Sequence, residues 1–359
     1  MVIVSKIPGK LFIAGEYAVV EPGNTAILVA VDKFITVSLK EADKMGSIRI
    51  YEDYVIHWIR DNGKIILEKE DPNLNYILSA INIVEKYVNE LGKRLSYYDI
   101  KVSSELETKD RIKYGLGSSA AVTVATVETL CNYFEIKITE EELFKLSALA
   151  SLLVNNRSSC GDIASCVYGG WIAYTTFSRD WVLKKMRDIT VSELIKLQWP
   201  SFKVEKLSQP KDLNLVVGWT GVPSSTRNLV ESVNNKISNN SHVYEKFLNE
   251  SNNCVKKIIS AFKDNNVEEV QRQIQKNREL LIELSKQFNI QIETPKLTKL
   301  CDIALKYNGS AKPSGAGGGD CGIAILKGNN TIDVIKSEWE KSGIAYLPIQ
   351  VYYKKGDES

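Results

Sequence analysis

The sequence predicts a mixed α/β protein of two domains. Three observations carry that reading. The chain has 359 residues, enough for two domains of ordinary size. Residues 2 to 67 are a succession of short β-rich runs separated by Gly and Pro, whereas residues 241 to 289 carry long helical periodicity and lead into a strand–helix–strand ending. Between about 178 and 212 the pattern turns irregular and polar, with Pro200 and Pro210 as breaks, and the domain boundary is expected there. The expected units are 1–190 and 211–354.

Taken in order, β-rich runs are expected at Val2 to Ile7, Leu11 to Ala14 and Ala26 to Leu39, punctuated by Pro8-Gly9, Gly15 and Pro22-Gly23. Strands follow at Ser47 to Tyr51, Val55 to Arg60 and Lys64 to Leu67. Asp71-Pro72 supplies a cap and a first-turn proline for a helix whose apolar residues run from Leu74 to Leu91, with Gly92 as its stop. A strand is expected from Tyr98 to Ser104, and the charged run Glu105 to Lys113 follows it. Thr139-Glu140-Glu141-Glu142 is a capping box opening a helix to about Val154. In the second half the expectation is a strand at Leu213 to Trp219, at least two helices in 241–289, a helix from Lys296 to Tyr307, a strand from Cys321 to Leu326, a helix from Ile332 to Ser342 and a strand from Tyr346 to Tyr353.

The chemistry centres on Tyr114-Gly115-Leu116-Gly117-Ser118-Ser119-Ala120-Ala121, which runs into an Ala- and Val-rich segment ending near Phe134. Gly115 and Gly117 let the backbone take positive φ and approach a ligand, and the serines open a helix whose first amides and dipole favour phosphate. The helix that follows is apolar on more than one face, so it is expected at the centre of its domain. The spacing also fits a dinucleotide fingerprint, but the run Glu105 to Lys113 separates Gly115 from the preceding strand, against that reading. No Gly-x-x-x-x-Gly-Lys-Ser/Thr occurs, which excludes the ordinary P-loop.

Composition narrows the partners. A formal net charge of +2, with no Lys/Arg-rich run, gives no reason to expect nucleic acid or an anionic membrane. There is no run of about 18 apolar residues, and the N-terminus lacks a signal-peptide core, so a cytoplasmic protein is expected. Six scattered cysteines without a Cys-x-x-Cys pair read as reduced thiols, and two histidines, His57 and His242, have no metal-ligand partner at useful spacing.

Two further stretches join the first: Pro8-Gly9-Lys10 through Ala18, and Ser314-Gly315-Ala316-Gly317-Gly318-Gly319-Asp320. The three, in this order, resemble the motifs of the GHMP small-molecule kinases over nearly the whole chain. Within that family, Lys113-Tyr114, Cys160-Gly161-Asp162-Ile163-Ala164 with Tyr168-Gly169-Gly170-Trp171, and Gly218 through Thr226 resemble the phosphomevalonate kinase branch. The resemblance implies an N-terminal part like ribosomal protein S5 domain 2 and a C-terminal ferredoxin-like part, with the active site in the cleft between them. It implies that Gly115, Leu116, Gly117, Ser118, Ser119 and Ala120 wrap the ATP phosphates, that Gly317 and Gly318 close the cleft from the other domain, and that Lys10 and Asp162 face the transferred group. Mg²⁺ with ATP as co-substrate is the expected cofactor, with Ser119 its one named protein ligand.

An acceptor that already carries phosphate needs cations of its own. Lys113, nearest the cradle, is the first choice and Arg157 the second, with Ser159, Ser224 and Ser225 as hydrogen-bond donors. Asp162 reads either as a general base, as a group orienting Lys10 or the acceptor, or as a helix cap; Lys10 alone would read as an edge-strand lysine. Mevalonate kinases of this family carry a Mg²⁺-binding glutamate eleven positions before the catalytic Asp, where this chain has Ser151. The expected reaction is therefore phosphorylation of phosphomevalonate to mevalonate diphosphate. The alternatives are mevalonate kinase, diphosphomevalonate decarboxylase and a GHMP-fold sensor without catalysis. A monomer and a homodimer are both compatible with the sequence.

Overall fold

A computed structural model describes residues 1–359 except 53, 62, 224–228, 230–240 and 357–359. Its described strands form two sheets. The larger has eight strands: β1 (Val2–Ala14), β2 (Thr25–Ala42), β3 (Gly46–Tyr51), β4 (Tyr54–Asp61), β5 (Lys64–Leu67), β6 (Tyr97–Ser104), β7 (Trp171–Thr175) and β8 (Lys203–Leu207), in the order β5-β4-β3-β6-β2-β7-β8 with β1 paired to β2. The β1–β2 register slips between Pro8 and Gly9, which pair with Phe34 and Val31, so Asp32 and Lys33 of β2 bulge opposite the step just before Lys10.

One face of this sheet carries α1 (Asn75–Glu90), α2 (Ser118–Tyr133), α3 (Glu140–Val154) and α4 (Gly161–Tyr168). The apolar residues of α2 lie on several faces, and it packs against β1, β2, α1, α3 and α4 at once, with Ala121, Val124, Ala125, Val127 and Leu130 fully buried. That is the central placement its composition predicts. The capping box of α3 is present, with Thr139 and Glu142 bonded reciprocally. Asp71 accepts from the amide of Asn73, but it caps a short 3₁₀ turn at Pro72–Leu74 that precedes α1.

The second sheet has four antiparallel strands, β9 (Leu213–Trp219), β10 (Ser310–Pro313), β11 (Cys321–Lys327) and β12 (Ala345–Leu347), in the order β10-β11-β9-β12. Helices α7 (Ser241–Lys263), α8 (Val267–Gln287), α9 (Pro295–Lys306) and α10 (Ile332–Lys341) accompany it. A separate small core of Val216, Leu300, Cys301, Ala311, Trp339 and Ile344 lies against this sheet, and the indole of Trp339 donates to the Leu300 carbonyl at 3.0 Å. The whole is the mixed α/β architecture expected, with a ferredoxin-like second sheet.

Two expectations are corrected. The irregular stretch at 178–212 is folded: α5 (Arg179–Asp188), α6 (Val191–Leu194) and β8 occupy it, and β8 pairs with β7 in the larger sheet. These elements are too short for periodicity to reveal. Tertiary bonds hold them, such as Lys145 Nζ of α3 to the carbonyls of Ile195 (3.0 Å) and Leu197 (2.7 Å). The last strand ends at Leu347 rather than Tyr353, because Pro348 removes a donor; beyond it the chain returns to β2 through a bridge between Val31 and Val351.

All six cysteines are buried and unpaired. Burial pushes the thiols of Cys131, Cys160, Cys254 and Cys301 up from 9.0 to about 12. Between those values the unfolded chain has lost protons that the folded chain keeps, so stability falls as pH rises above about 9. We expect a lower urea midpoint at pH 10 than at pH 8, with part of the drop removed in Cys131→Ala; equal midpoints at the two pH values would contradict this.

Candidate active site

The first glycine-rich stretch meets the second through the backbone. The amide of Lys10 on β1 donates to the carbonyl of Leu116 at 2.9 Å, which lays the lysine side chain along the start of α2. Gly115 and Gly117 both have left-handed backbones, with φ of 86° and 82°. A Cβ on Gly117 would lie 2.8 Å from Lys10 Cε, and one on Gly115 would lie 2.5 Å from the side chain of Asp320. Conformation and space thus both demand glycine. The first i→i−4 bond of α2 joins Ala121 to Gly117 at 3.0 Å, so the amides of Ser118, Ser119 and Ala120 precede it, at the positive end of a 16-residue helix.

The turn between α3 and α4 brings the carboxylate. Cys160 takes the left-handed N-cap position (φ 57°), and Asp162 falls in the first turn of α4, where it accepts its neighbour's amide, Ile163, at 3.0 Å. Asp162 is therefore not the helix cap. The Tyr174 hydroxyl donates to the Ser159 carbonyl at 2.5 Å and fixes the turn from below. Cys166, one turn along α4, has its thiol pushed up by burial and then by Asp162, while Lys10 opposes the shift. The lysine and the carboxylate thus both act on the same buried spot.

The third stretch arrives from the second sheet. Ser314 Oγ accepts from the Phe12 amide and donates to the Phe12 carbonyl, both at 3.0 Å; the Gly315 amide donates to Glu16 at 3.3 Å; the Tyr17 hydroxyl donates to the Ala316 carbonyl at 2.7 Å. Gly317 and Gly318 turn the other way, the Gly318 amide donating to the Ile292 carbonyl at 2.7 Å.

The three stretches enclose a cavity of about 390 Å³. Lys10, Lys113, Gly115, Gly117, Ser118, Ser119, Ala120, Arg157, Ser159 and Asp162 all line it. Leu116 is buried behind the wall, and Gly317 and Gly318 are not among the lining residues. Ser224 and Ser225 lie outside the described residues, although Pro223 beside them reaches the cavity. Lys10 is nearly buried, at 8% exposed, whereas Lys113 and Arg157 are exposed. Sequence reasoning missed Glu16, Tyr17, Ser151, Asn155, Ser158 and Asp320 as lining residues. Glu16, Tyr17 and Asp320 sit inside or at the end of the glycine-rich stretches and carried a signal; Asn155 and Ser158 flank Arg157 in a turn whose direction the sequence does not give. Among the described residues no group of three or more His, Cys, Asp or Glu is placed to hold a metal ion.

A helix N-terminus with free amides suited to an anion, a nearly buried lysine and a carboxylate line one cavity between the two sheets, the arrangement of a small-molecule kinase cleft. The chain belongs to the GHMP kinases: the model of their N-terminal domain matches residues 75–170 and that of their C-terminal domain residues 258–345. It is 38% identical to the phosphomevalonate kinase of Streptomyces sp. (strain CL190), over 97% of this chain and 96% of that one. Among solved structures, a Lin0012 protein from Listeria innocua matches at 39% identity with a TM-score of 0.92, covering 99% of this chain and 100% of that one. The Streptococcus pneumoniae phosphomevalonate kinase in complex with phosphomevalonate and AMPPNP matches at 25% identity with a TM-score of 0.85, covering 98% of this chain and 100% of that one.

The packing at Gly117 is directly testable. Gly117→Ala would place a Cβ against Lys10 and force a left-handed alanine, which costs about 1–2 kcal/mol. We expect the urea midpoint to fall accordingly; an unchanged midpoint would mean that this turn relaxes freely.

Proposed function

We propose that the chain transfers the γ-phosphoryl group of ATP to phosphomevalonate, yielding mevalonate diphosphate and ADP for isoprenoid precursor synthesis. The observation that carries this is the cation arrangement. Lys113 and Arg157 face the same cavity as Lys10 and the α2 amides, which suits two anionic substrates rather than one. The relative and the solved complex named above act on or bind the same acceptor.

In this reading the amides of Ser118, Ser119 and Ala120, with the turn from Gly115 to Gly117, hold the ATP phosphates. Lys10 stabilises the charge that spreads over the transferred group. Lys113, Arg157 and Ser159 hold the acceptor phosphate, with Ser224 and Ser225 as further donors, and Gly317 and Gly318 belong to the loop that closes the cleft from the second sheet. An acceptor phosphate oxygen attacks the γ-phosphorus, a new P–O bond forms, and the bond to the ADP oxygen breaks. With a second pKa near 6, a phosphomonoester is already mostly dianionic at pH 7, so Asp162 orients Lys10 and the acceptor instead of removing a proton.

Mg²⁺ fits this donor set. A small hard cation that takes most of its oxygens from phosphate and water needs few protein ligands, and the Ser119 hydroxyl lines the cavity to supply one. The ion would screen charge on the ATP phosphates. Among the described residues no helix is long and apolar enough to cross a membrane; a cytoplasmic enzyme, monomeric or homodimeric, completes the proposal. So does a division into two units, expected at 1–190 and 211–354, in which the first extends to about 210 because β8 pairs with β7.

Variants separate the roles. Ser119→Ala is expected to weaken use of MgATP. Lys10→Met should lower kcat by at least about 10²-fold with the fold intact. Lys113→Ala and Arg157→Ala should raise KM for phosphomevalonate roughly 10- to 150-fold and KM for ATP much less, the loss of one charge-assisted hydrogen bond. Wild-type KM for phosphomevalonate in both would remove these cations from the acceptor site. Asp162→Asn should lose rate that raising the pH from 7 to 9 does not restore; a steep recovery would instead favour general-base catalysis on a hydroxyl acceptor.

A further inference from the structure

Three successive residues of the third glycine-rich stretch are gripped by the first: Ser314 by the backbone of Phe12, the Gly315 amide by Glu16 Oε1, and the Ala316 carbonyl by the Tyr17 hydroxyl. The grip comes from a turn in uncommon conformation, since Gly15 (φ 90°) and the non-glycine Tyr17 (φ 61°) both have positive φ. Its middle member is a carboxylate only 2% exposed. Such a charge needs a buried counterion, and Lys312, fully buried on β10 two residues before Ser314, provides it. The Lys312 ammonium donates to the same Oε1 that receives the Gly315 amide, and to the carbonyl of Pro313 at 2.7 Å. Glu16 lines the cavity, whereas Lys312 stands behind it.

A buried ion pair is seldom a net source of stability, because desolvation offsets most of the attraction, but breaking one side leaves a charge without compensation. This pair sits where compensation bears on chemistry. It joins the two sheets, fixes the carboxylate that accepts the Gly315 amide, and keeps that carboxylate from standing uncompensated beside two anionic substrates. We propose that Lys312 is a positioning residue for phosphoryl transfer: by orienting and neutralising Glu16 it holds Gly315 and Ala316 in place over the cavity. The kinetic part of this inference rests on the kinase reading above; the structural part does not.

The test compares Lys312→Met, Lys312→Arg and the double variant Lys312→Met/Glu16→Gln with the wild type. Three readouts are taken on folded protein: thermal stability, amide hydrogen exchange of the 313–320 segment, and kcat and KM with ATP and phosphomevalonate. Lys312→Met is expected to lose stability, to exchange faster in 313–320, and to lose at least about tenfold in kcat, the scale of a small misplacement of reacting groups. The double variant removes the buried charge, so its stability should recover while exchange in 313–320 stays fast and kcat stays low. Lys312→Arg should restore part of the rate. Recovery of exchange and kcat together with stability in the double variant would overturn the proposal and leave the pair a purely structural one, as would wild-type exchange in Lys312→Met. Should the wild type fail to phosphorylate phosphomevalonate, the functional reading fails, yet the exchange measurements still decide whether Lys312 positions the third stretch.

Discussion

The site depends on one backbone contact, the 2.9 Å hydrogen bond from the Lys10 amide to the Leu116 carbonyl. It ties the strand that carries the lysine to the turn that opens α2, so the cation and the helix amides keep a fixed relation. Everything around the contact serves to let two backbone segments pass that closely. Gly9, beside the register slip, leaves no side chain to meet the Leu116 carbonyl, Gly115 and Gly117 keep side chains out of the gap, and a helix buried on several faces prevents the turn from tilting. Electrostatic stabilisation of a spreading phosphoryl charge is effective when its donors do not have to move, and burial supplies that rigidity here.

A second theme is how the two sheets share one cavity. The larger sheet contributes Lys10, the cradle and Asp162; the smaller reaches across with Ser314, Gly315, Ala316 and Asp320. Asp320 has positive φ, its carbonyl accepts both the amide and the hydroxyl of Thr220, and its side chain abuts Gly115. The wall of the cavity is thus a set of mutual fits between distant stretches, and a Cβ on Gly115 or Gly117 would collide with Asp320 or Lys10.

This explains what was legible in the sequence. Glycine-rich stretches beside strand and helix ends announce themselves locally, and the capping box at Thr139 and the apolar surface of α2 follow from composition alone, so the cradle, Lys10 and Asp162 could be named and do meet. Glu16 was visible as part of the first stretch, but its partner was not: Lys312 lies almost three hundred residues away and looks like any strand lysine until β10 is seen to be buried. Gly317 and Gly318 are placed by a contact the sequence does not show. A Cβ on Gly317 would meet the Ile292 carbonyl, and the Gly318 amide donates to that same oxygen, so the role the resemblance implies for them, closing the cleft, is not visible in the cavity lining itself. Likewise α5, α6 and β8 are set by what they pack on, since short elements carry too few residues for a period to emerge.

The proposed reaction needs a cavity that holds an acceptor already bearing a phosphate. It is tested most directly by measuring ADP release from purified protein at saturating MgATP with phosphomevalonate, mevalonate, mevalonate diphosphate, homoserine and galactose in turn. Rapid release is expected with phosphomevalonate, and kcat/KM lower by at least about 10²-fold with mevalonate, homoserine and galactose, because an acceptor without the phosphate leaves Lys113 and Arg157 unpaired. Comparable turnover of mevalonate would contradict it.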